Sequence, residues 1–489
     1  MCADDPISEI RERRLCFECV AEEFLREKIK EIGSRKNCFY CERQLETLSV
    51  QEIAELVNSG ILVFFVKYDA ELQAALDQFA NERGEKPQPR GRPVAEVIKE
   101  EAGLTEILAE DIRGVLVKHH DKSPDEEDQM TKALEPERWE NPFDTQARYV
   151  RRDSVNAWEF ESGWGLFERS LTEQTRHFNR TAEEMLTSVF EGIDELKTTH
   201  GRAVIVPAGP GTGLAKLYRA RVFQSEDKLE EAMIGPDRHV GPPPSALATA
   251  GRMNAAGIAV FYGATSAEVA LAEVRPPVGS KVPVGCFEVA QNLRLLDFDA
   301  LEFVADEHGS IFDPSHIYRL KKAKFLRSLC KRISRIVMPD DQPREYIPTQ
   351  AVADFLANME TPSLDGVIYP SVQTRPLLPR GILALIPGTA DGNVVLFRKA
   401  AVVQEMIVPE RTRVLSPRNS LGLGSLLGEG EPEVEYTVFE ETAPTPAPDS
   451  NDAPLKLSTL DVYWVTGVRF DKVRGPIRRH KIEKTEPAR

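Results

Sequence analysis

Residues 258–277 read IAVFYGATSAEVALAEVRPP, in which an apolar segment is followed by a run with helical spacing. The segment IAVFYGAT is rich in apolar and aromatic residues and ends at small residues, which predicts a strand. Apolar residues in SAEVALAEV (266–274) recur at helical spacing, which predicts a short helix. This alternation predicts a domain that contains both strands and helices.

Glu273 stands near the C-terminal end of that predicted helix, among small and apolar residues. Glu268 lies five residues earlier, about 140° away around a helix, so the two carboxylates do not share a face. The helix macrodipole does not stabilise a carboxylate at this end. We therefore expect an arginine partner for Glu273, and Arg219, Arg252 and Arg275 are the candidates. On residue types alone, a structural ion pair is favoured over a functional site as the explanation of this pattern.

Strand-like segments of the same kind recur on both sides of this stretch. KLYRARVF (216–223) precedes it and GVIYPSV (366–372) follows it, and Gly and Pro separate such segments from one another. Helical patterns such as TQAVADFLANM (349–359) lie between them. Residues 214–415 are therefore predicted to form an α+β domain with a mixed β-sheet and helices.

The first half of the chain differs, because four of the seven cysteines in the whole chain fall within one short stretch of it. Cys16 and Cys19 form one Cys-x2-Cys pair, and Cys38 and Cys41 form a second pair eighteen residues later. This spacing is typical of a four-thiolate zinc site, and a closed set of protein ligands indicates structural Zn²⁺ rather than catalytic Zn²⁺. Residues 1–48 are therefore predicted to be a four-cysteine zinc knuckle, with a helix joining its two halves.

The remaining segments follow from composition and periodicity. Residues 49–200 are predicted to be mostly helical, and SVQEIAELVNSGI opens them with a capping-box pattern. Residues 201–213 are predicted to be a Gly-rich linker. Residues 416–456 are rich in Gly, Ser, Glu, Pro and Ala and are predicted to be flexible. A C-terminal strand at 457–475 and a disordered tail at 476–489 complete the prediction.

The Gly-rich run AGPGTGLAK (208–216) superficially resembles a phosphate-binding loop. Such a loop requires Gly-Lys-Ser/Thr, in which the Lys reaches phosphate and the hydroxyl binds Mg²⁺. Leu214 and Ala215 stand after Gly213 here. The run is therefore interpreted as part of the linker.

Charge and composition narrow the class of protein. The 489 residues carry a net charge of −16, which argues against a general nucleic-acid-binding surface but leaves room for one basic pocket. No apolar run approaches the roughly 20 residues that cross a bilayer. The start MCADDPISEIRERR is charged where a secretory signal is apolar. We therefore expect a cytoplasmic protein with no membrane partner.

Several short motifs, most of them with a polar or charged residue, follow one another along residues 214–415. The residues are Arg219, Gly251-Arg252-Met253-Asn254, Phe261-Tyr262, Ala270-Leu271-Ala272-Glu273, Tyr369-Pro370-Ser371 and Asn393-Val394-Val395-Leu396-Phe397. In order and spacing this set resembles the RES domain family, which is named for its Arg, Glu and Ser residues. The resemblance covers about 200 residues, as in a single domain. The cysteines and helical pattern of the N-terminal half resemble the HEPN-like region that precedes some RES domains.

The resemblance implies a fold and an activity. RES domains are similar to ADP-ribosyltransferases in fold and degrade NAD⁺ with phosphate or water, and many are toxins paired with an antitoxin protein. Cleavage of the nicotinamide–ribose bond creates an oxocarbenium-like centre. Glu273 would either stabilise this centre or orient the nucleophile. Arg219 and Arg252 would bind the pyrophosphate of NAD⁺ through their guanidinium groups.

The same resemblance implies roles for three further residues. Tyr262 would stack on nicotinamide or hydrogen-bond a ribose, and Ser371 would contact phosphate or a ribose hydroxyl. Asn393 would contact substrate, although an Asn at the start of a strand is also a common turn residue.

The sequence departs from the family at Ala255 and Ala256, where members often carry Pro-Lys, and at Met253, where an aromatic is frequent. Loss of a basic residue there weakens the case for phosphorolysis more than the case for NAD⁺ use. Two alternatives to NAD⁺ degradation stay open. One is transfer of ADP-ribose to a macromolecule, and the other is a non-catalytic module that binds NAD or RNA.

Overall fold

A computed structural model describes most of the chain and divides it into two compact units. The first unit comprises residues 1–203 and 300–332, and the second comprises residues 204–299 and 333–489. Helices and a large mixed sheet confirm the predicted α+β class. The described residues are 6–68, 91–121, 141–152, 154–305, 308–371, 373, 392–409, 412–415, 436–440 and 453–468.

The first unit is mainly helical, with two small antiparallel sheets. One sheet has the strand order Arg14–Cys16, Gln44–Ser49, Ser34–Asn37, and the other has the order Phe65–Lys67, Arg148–Arg151, Arg92–Pro93. The α-helices that lie in this unit are Pro6–Glu12, Glu23–Ile32, Val50–Phe64, Val94–Ala102, Glu106–His119, Trp158–Arg169, Arg180–Phe190 and, up to residue 332, Pro314–Ile333.

The cysteine-rich segment and the helices after it share one hydrophobic core. Leu15 and Leu48 flank the cysteines and are buried with Val50, Ile53 and other helical residues in a single cluster. The predicted helix between the cysteine pairs is present as Glu23–Ile32. The cysteine-rich segment and the helices between residues 50 and 119 therefore do not have separate cores, which is the expected solution for a segment too short to bury a core alone.

Residues 300–332 pack within the first unit, although they lie far along the chain. The Phe325 ring stacks on Phe160 at 5.7 Å and lies 5.6 Å from Trp164. Lys322 Nζ donates to the Glu191 carbonyl at 2.6 Å. The helix Pro314–Ile333 thus buries an apolar face against helices from the N-terminal half.

A chain that begins at residue 204 is therefore expected to lose this support. Phe325, Leu326 and Leu329 are fully buried, and exposing such side chains costs about 1.5–3 kcal/mol each. We expect the shortened chain to aggregate or to bind a hydrophobic dye, as measured by light scattering and dye fluorescence. A soluble monomer with one cooperative unfolding transition would contradict this packing.

An eight-stranded mixed sheet forms the second unit. Its only parallel pair among the described strands joins Leu293–Asp297 to Gly366–Pro370, and the other pairs are antiparallel. The strand order is Leu455–Trp464, Lys281–Val289, Lys216–Ala220, Phe261–Ala264, Gly392–Leu396, Gly366–Pro370, Leu293–Asp297 and Ile205–Ala208. The helices of this unit include Glu226–Ile234, Pro236–His239, Ala267–Glu273, Gln342–Glu345 and Ile347–Asn358.

Two segments, predicted to be a linker and a flexible region, contain strands in the structure. The predicted linker 201–213 contains the strand Ile205–Ala208, which pairs with Leu293–Asp297 because its apolar residues complete the sheet edge. The predicted flexible segment 416–456 contains the strand Thr437–Glu440, which pairs with Thr412–Leu415. The rest of that segment up to residue 452 lies outside the described residues, apart from Tyr436.

The C-terminal strand predicted at 457–475 spans Leu455–Trp464 and pairs antiparallel with Lys281–Val289. The predicted tail at 476–489 lies outside the described residues. Among the helices that the structure describes, none combines the length and apolar character needed to span a bilayer.

Candidate active site

A cavity of about 340 Å³ opens in the second unit beside the strands Lys216–Ala220 and Phe261–Ala264. These two strands share one paired position in the sheet, Tyr218 with Ala264. The polar residues that line the cavity are Arg219, Arg252, Arg275, Glu273, Asn393, Gln373, Ser334, Tyr218, Tyr262, Tyr346 and Tyr369. The volume is near the lower end of the roughly 300–1,000 Å³ typical of small-molecule sites.

Among the described residues of this lining Glu273 is the single carboxylate, and two neutral groups hold it. Its helix, Ala267–Glu273, begins at the Ser266 cap, whose side chain accepts from the Val269 N–H. The Ser371 hydroxyl donates to Glu273 Oε1 at 2.7 Å, and Asn393 Nδ2 donates to the same oxygen at 2.8 Å. The expected arginine partner is not found, since no ion pair of Glu273 occurs among the described residues.

Strand pairing explains why these two donors converge. Gly366–Pro370 and Gly392–Leu396 are antiparallel neighbours, with Tyr369 opposite Asn393 and Pro370 opposite Gly392. Ser371 directly follows the first strand, so it lies at the end of the sheet where the second strand begins. Both side chains are about 6% exposed, which makes the hydrogen bonds to the carboxylate hard for water to replace.

Tyr262 belongs to a second hydrogen-bonded group in the cavity wall. Its hydroxyl accepts from the Met253 N–H at 2.8 Å and donates to Asn254 Oδ1 at 2.9 Å. Asn254 Nδ2 in turn contacts the carbonyl oxygens of Thr249 and Ile258. Burial raises the pKa of Tyr262 to about 12, so the hydroxyl stays protonated and keeps its donor role at neutral pH.

Gly251 leaves no room for a side chain beside this group. An added Cβ would lie 2.6 Å from Asn254 Oδ1 and 2.6 Å from Tyr262 Oη. We expect Gly251→Ala to lower the free energy of unfolding by about 1–3 kcal/mol, measured by urea denaturation. Gly257→Asn is the control, because a Cβ there meets nothing within 4 Å and Asn tolerates its φ of 84°. Equal stability of Gly251→Ala and the wild type would contradict the close approach.

Arg219 is fixed by backbone carbonyl groups on both sides. Its Nε donates to the Val240 carbonyl at 2.8 Å, and its Nη1 donates to the Tyr262 carbonyl at 2.6 Å. Burial, together with the nearby positive charge of Arg221, lowers the pKa of Arg219 to about 10. The guanidinium is therefore still charged at neutral pH and is oriented before any ligand binds.

Arg252 is held in a similar way. Its Nη1 and Nη2 donate to the carbonyls of Ile333 and Arg335 at 2.6 and 2.9 Å. The guanidinium lies 4.8 Å from the centre of the Tyr346 ring, a cation–π geometry. The start of the helix Ile347–Asn358 also fixes the backbone here, because the Thr349 hydroxyl donates to the Arg252 carbonyl.

The structure brings together the residues that the sequence singled out. Arg219, Arg252, Tyr262, Glu273 and Asn393 line one cavity, and Ser371 reaches it through its hydrogen bond to Glu273. Sequence reasoning missed Tyr218, Ser334, Tyr346, Tyr369 and Gln373 as polar lining residues. A weak signal existed for Tyr369, which precedes Pro370 and Ser371 in the Tyr-Pro-Ser motif, whereas Tyr346 carries no local pattern.

The cysteines Cys16, Cys19, Cys38 and Cys41 converge in the first unit, and their ligand atoms all lie within 4.8 Å of one another. The Sγ–Sγ distance is 3.7 Å for Cys16–Cys19, 3.5 Å for Cys16–Cys41 and 3.7 Å for Cys19–Cys38. Four thiolates at about 2.3 Å from a tetrahedral Zn²⁺ stand about 3.8 Å apart. The donor set and its spacing therefore fit structural zinc, as the sequence predicts.

Comparison with known proteins gives one match. Searches of curated proteins and of solved structures found no match to the chain. The model of the RES domain family matches residues 216–416, which include every residue of the candidate active site. This segment also includes residues 300–332, which pack within the first unit. Residues 216–416 of this chain, less than half of its length, are therefore identified as a RES domain.

Proposed function

We propose that this protein is an NAD⁺-degrading enzyme of the RES type, which cleaves the nicotinamide–ribose bond with phosphate or water as the acceptor. The observation that carries the proposal is the geometry of Glu273. Ser371 and Asn393 both donate to Oε1, and no described residue donates to Oε2. One carboxylate oxygen is therefore anchored, and the other is left for the reacting centre in the cavity.

The chemistry requires a fixed negative charge at that position. As the bond to nicotinamide breaks, positive charge develops on the ribose C1 and ring oxygen, and a carboxylate held close to it lowers the barrier. Neutral donors suit this role better than an arginine would, because an ion pair would cancel part of the charge on Glu273. The Ser371 and Asn393 hydrogen bonds orient the carboxylate and leave its net charge intact.

The arginines support binding of the dinucleotide. Each guanidinium has five N–H donors, and both Arg219 and Arg252 give two of theirs to backbone carbonyls. The remaining donors are held in fixed directions, which suits recognition of phosphate oxygens. Because the cavity is small, we assign it to the nicotinamide–ribose half of the substrate and its nearest phosphate.

The tyrosines of the lining support a place for the nicotinamide ring. Tyr369 lies opposite Asn393 in the sheet and is 8% exposed, and burial raises its pKa well above the ordinary value. A neutral phenol ring next to a flat aromatic leaving group stabilises it by stacking and excludes water. Tyr262 is fixed by Met253 and Asn254 and would hydrogen-bond the ribose rather than move to stack.

An activity of this kind depletes NAD⁺, so a toxin-like role would require restraint. We propose two sources of restraint: the first unit, whose cysteine cluster fits zinc and which we relate to HEPN-like regions, and a separate antitoxin protein. Co-expression of a neighbouring gene product would test the second source by rescue of growth.

A product assay tests the proposed function. The purified full-length protein is incubated with NAD⁺, with and without inorganic phosphate, and the products are separated by chromatography. ADP-ribose-1″-phosphate formed only with phosphate indicates phosphorolysis, and ADP-ribose in both samples indicates hydrolysis. Labelled ADP-ribose on a macromolecule would indicate transfer instead, and intact NAD⁺ in every sample would contradict the proposal.

A further inference from the structure

A third arginine of the cavity, Arg275, follows Glu273 by two residues. We propose that Arg275 is an anion-binding residue that receives a phosphoryl group in this cavity. The proposal deepens the proposed function and rests on it for the nature of the substrate. Its three supports are the backbone conformation of Arg275, its lack of protein partners among the described residues, and the charge of the cavity.

Arg275 has an unusual backbone conformation for its residue type. Its φ is 45°, in the left-handed region that favours Gly. The next residue is Pro276, and a residue before proline is restricted towards extended conformations. A long side chain is therefore kept at a position where Gly would be less strained. Such outliers cluster at binding and catalytic sites.

The Arg275 side chain also differs from the other two arginines in its contacts. Arg219 and Arg252 are held by backbone carbonyls. Arg275 is exposed at the cavity, and across the described ranges its guanidinium has neither a hydrogen bond nor an ion pair. No described residue therefore competes for these donors, which can form a bidentate contact with an incoming oxyanion.

The charge of the cavity favours an anion with two negative charges. Arg219, Arg252 and Arg275 face one carboxylate, Glu273, in a protein whose net charge is −16. A local excess of positive charge in an acidic chain is most simply explained by a ligand that neutralises it. Phosphoryl oxyanions have this charge, and two sources are available to an NAD⁺-cleaving site. They are the pyrophosphate of the dinucleotide and free inorganic phosphate.

Binding of two probes to the full-length protein tests the inference without relying on turnover. Inorganic phosphate and ADP-ribose are titrated by calorimetry into the wild type, Arg275→Gln and Arg221→Gln. Arg221 is an exposed arginine outside the cavity lining, and its Nη1 donates to the His239 carbonyl. We expect Arg275→Gln to weaken binding of at least one probe by about tenfold or more, as for loss of a charge-assisted contact. Arg221→Gln should change neither affinity by more than about twofold.

The probe that loses affinity identifies which phosphoryl group Arg275 binds. Loss of affinity for ADP-ribose alone assigns Arg275 to the pyrophosphate, and loss for inorganic phosphate alone assigns it to the acceptor. Unchanged affinity for both probes in Arg275→Gln overturns the inference, as does a wild type that binds neither. Anion binding that depends on Arg275 in a protein that leaves NAD⁺ intact would support this inference while refuting the proposed function.

A second variant separates binding from folding. Arg275→Gly removes the side chain and relieves the left-handed strain. We expect its melting temperature to equal or exceed that of the wild type while its affinity for the affected probe falls as in Arg275→Gln. A lower melting temperature with unchanged affinity would show that Arg275 is structural and would overturn the inference.

Discussion

Replacement of Glu273 by Gln is expected to lower the rate of NAD⁺ cleavage by about 10³-fold, as for removal of a key electrostatic group from an active site. Gln has nearly the same shape, and its Oε1 still accepts from Ser371 and Asn393. The variant loses the negative charge that would face the developing cation. We therefore expect an unchanged melting temperature and a loss confined mainly to kcat, measured from initial rates of NAD⁺ loss.

Two further variants make this result interpretable. Glu268→Gln changes an exposed carboxylate on the same helix, outside the cavity lining, and should alter the rate by less than about twofold. Ser371→Ala removes one of the two donors to Oε1 and should reduce kcat by about tenfold, because Asn393 still anchors the carboxylate. If Glu273→Gln cleaves NAD⁺ as fast as the wild type, Glu273 is not the working carboxylate.

Removal of zinc is expected to unfold the first unit rather than only the cysteine segment. The cysteine-rich segment contributes Leu15, Val20 and Leu48 to the same buried cluster as the helices Val50–Phe64 and Val94–Ala102. Structural zinc contributes on the order of 10 kcal/mol of apparent binding free energy to such folds. A strong chelator should therefore lower the melting temperature of this unit by about 10 °C or more.

Metal analysis and thermal unfolding check this prediction together. The wild type should carry one zinc per chain, and Cys38→Ser should lose zinc and melt earlier. Cys286→Ser is the control, because Cys286 lies in the strand Lys281–Val289 of the second unit and should leave the zinc content unchanged. Full metal loss with an unaltered melting curve would contradict a folding role for the cysteine cluster.

The parts of the structure set by local pattern could be predicted from the sequence. The paired Cys-x2-Cys spacing predicts the convergence of four Sγ atoms, because each pair needs only one tight turn. Ser49 and Glu52 form the capping box that the sequence predicts, with reciprocal hydrogen bonds at the start of the helix Val50–Phe64. Alternating strand and helix patterns likewise predict the α+β class.

The parts that depend on contacts between distant segments could not be predicted in the same way. The segment 201–213 contains the apolar run AVIVPAG, but its Gly-rich end favours a linker, and only the strand Leu293–Asp297 makes Ile205–Ala208 a sheet edge. No sequence feature of residues 300–332 predicts that they pack within the first unit. Packing partners of this kind are fixed by the tertiary fold.

In the candidate site, too, the sequence predicts which residues take part but not which side chains they contact. Order and spacing identify Arg219, Arg252 and Glu273, but not their partners. Arginine and carboxylate residues in one motif favour an ion pair, whereas the structure pairs Glu273 with Ser371 and the arginines with carbonyls. Side-chain partners depend on strand register to within one residue, which sequence periodicity does not specify.

Release of free nicotinamide from NAD⁺ by the purified full-length protein is the most direct test of the central claim. Proton NMR follows the nicotinamide and NAD⁺ signals in one sample over time. We expect nicotinamide to appear in step with NAD⁺ loss over many turnovers per protein molecule. A folded, zinc-loaded protein that leaves the NAD⁺ signals unchanged would contradict it.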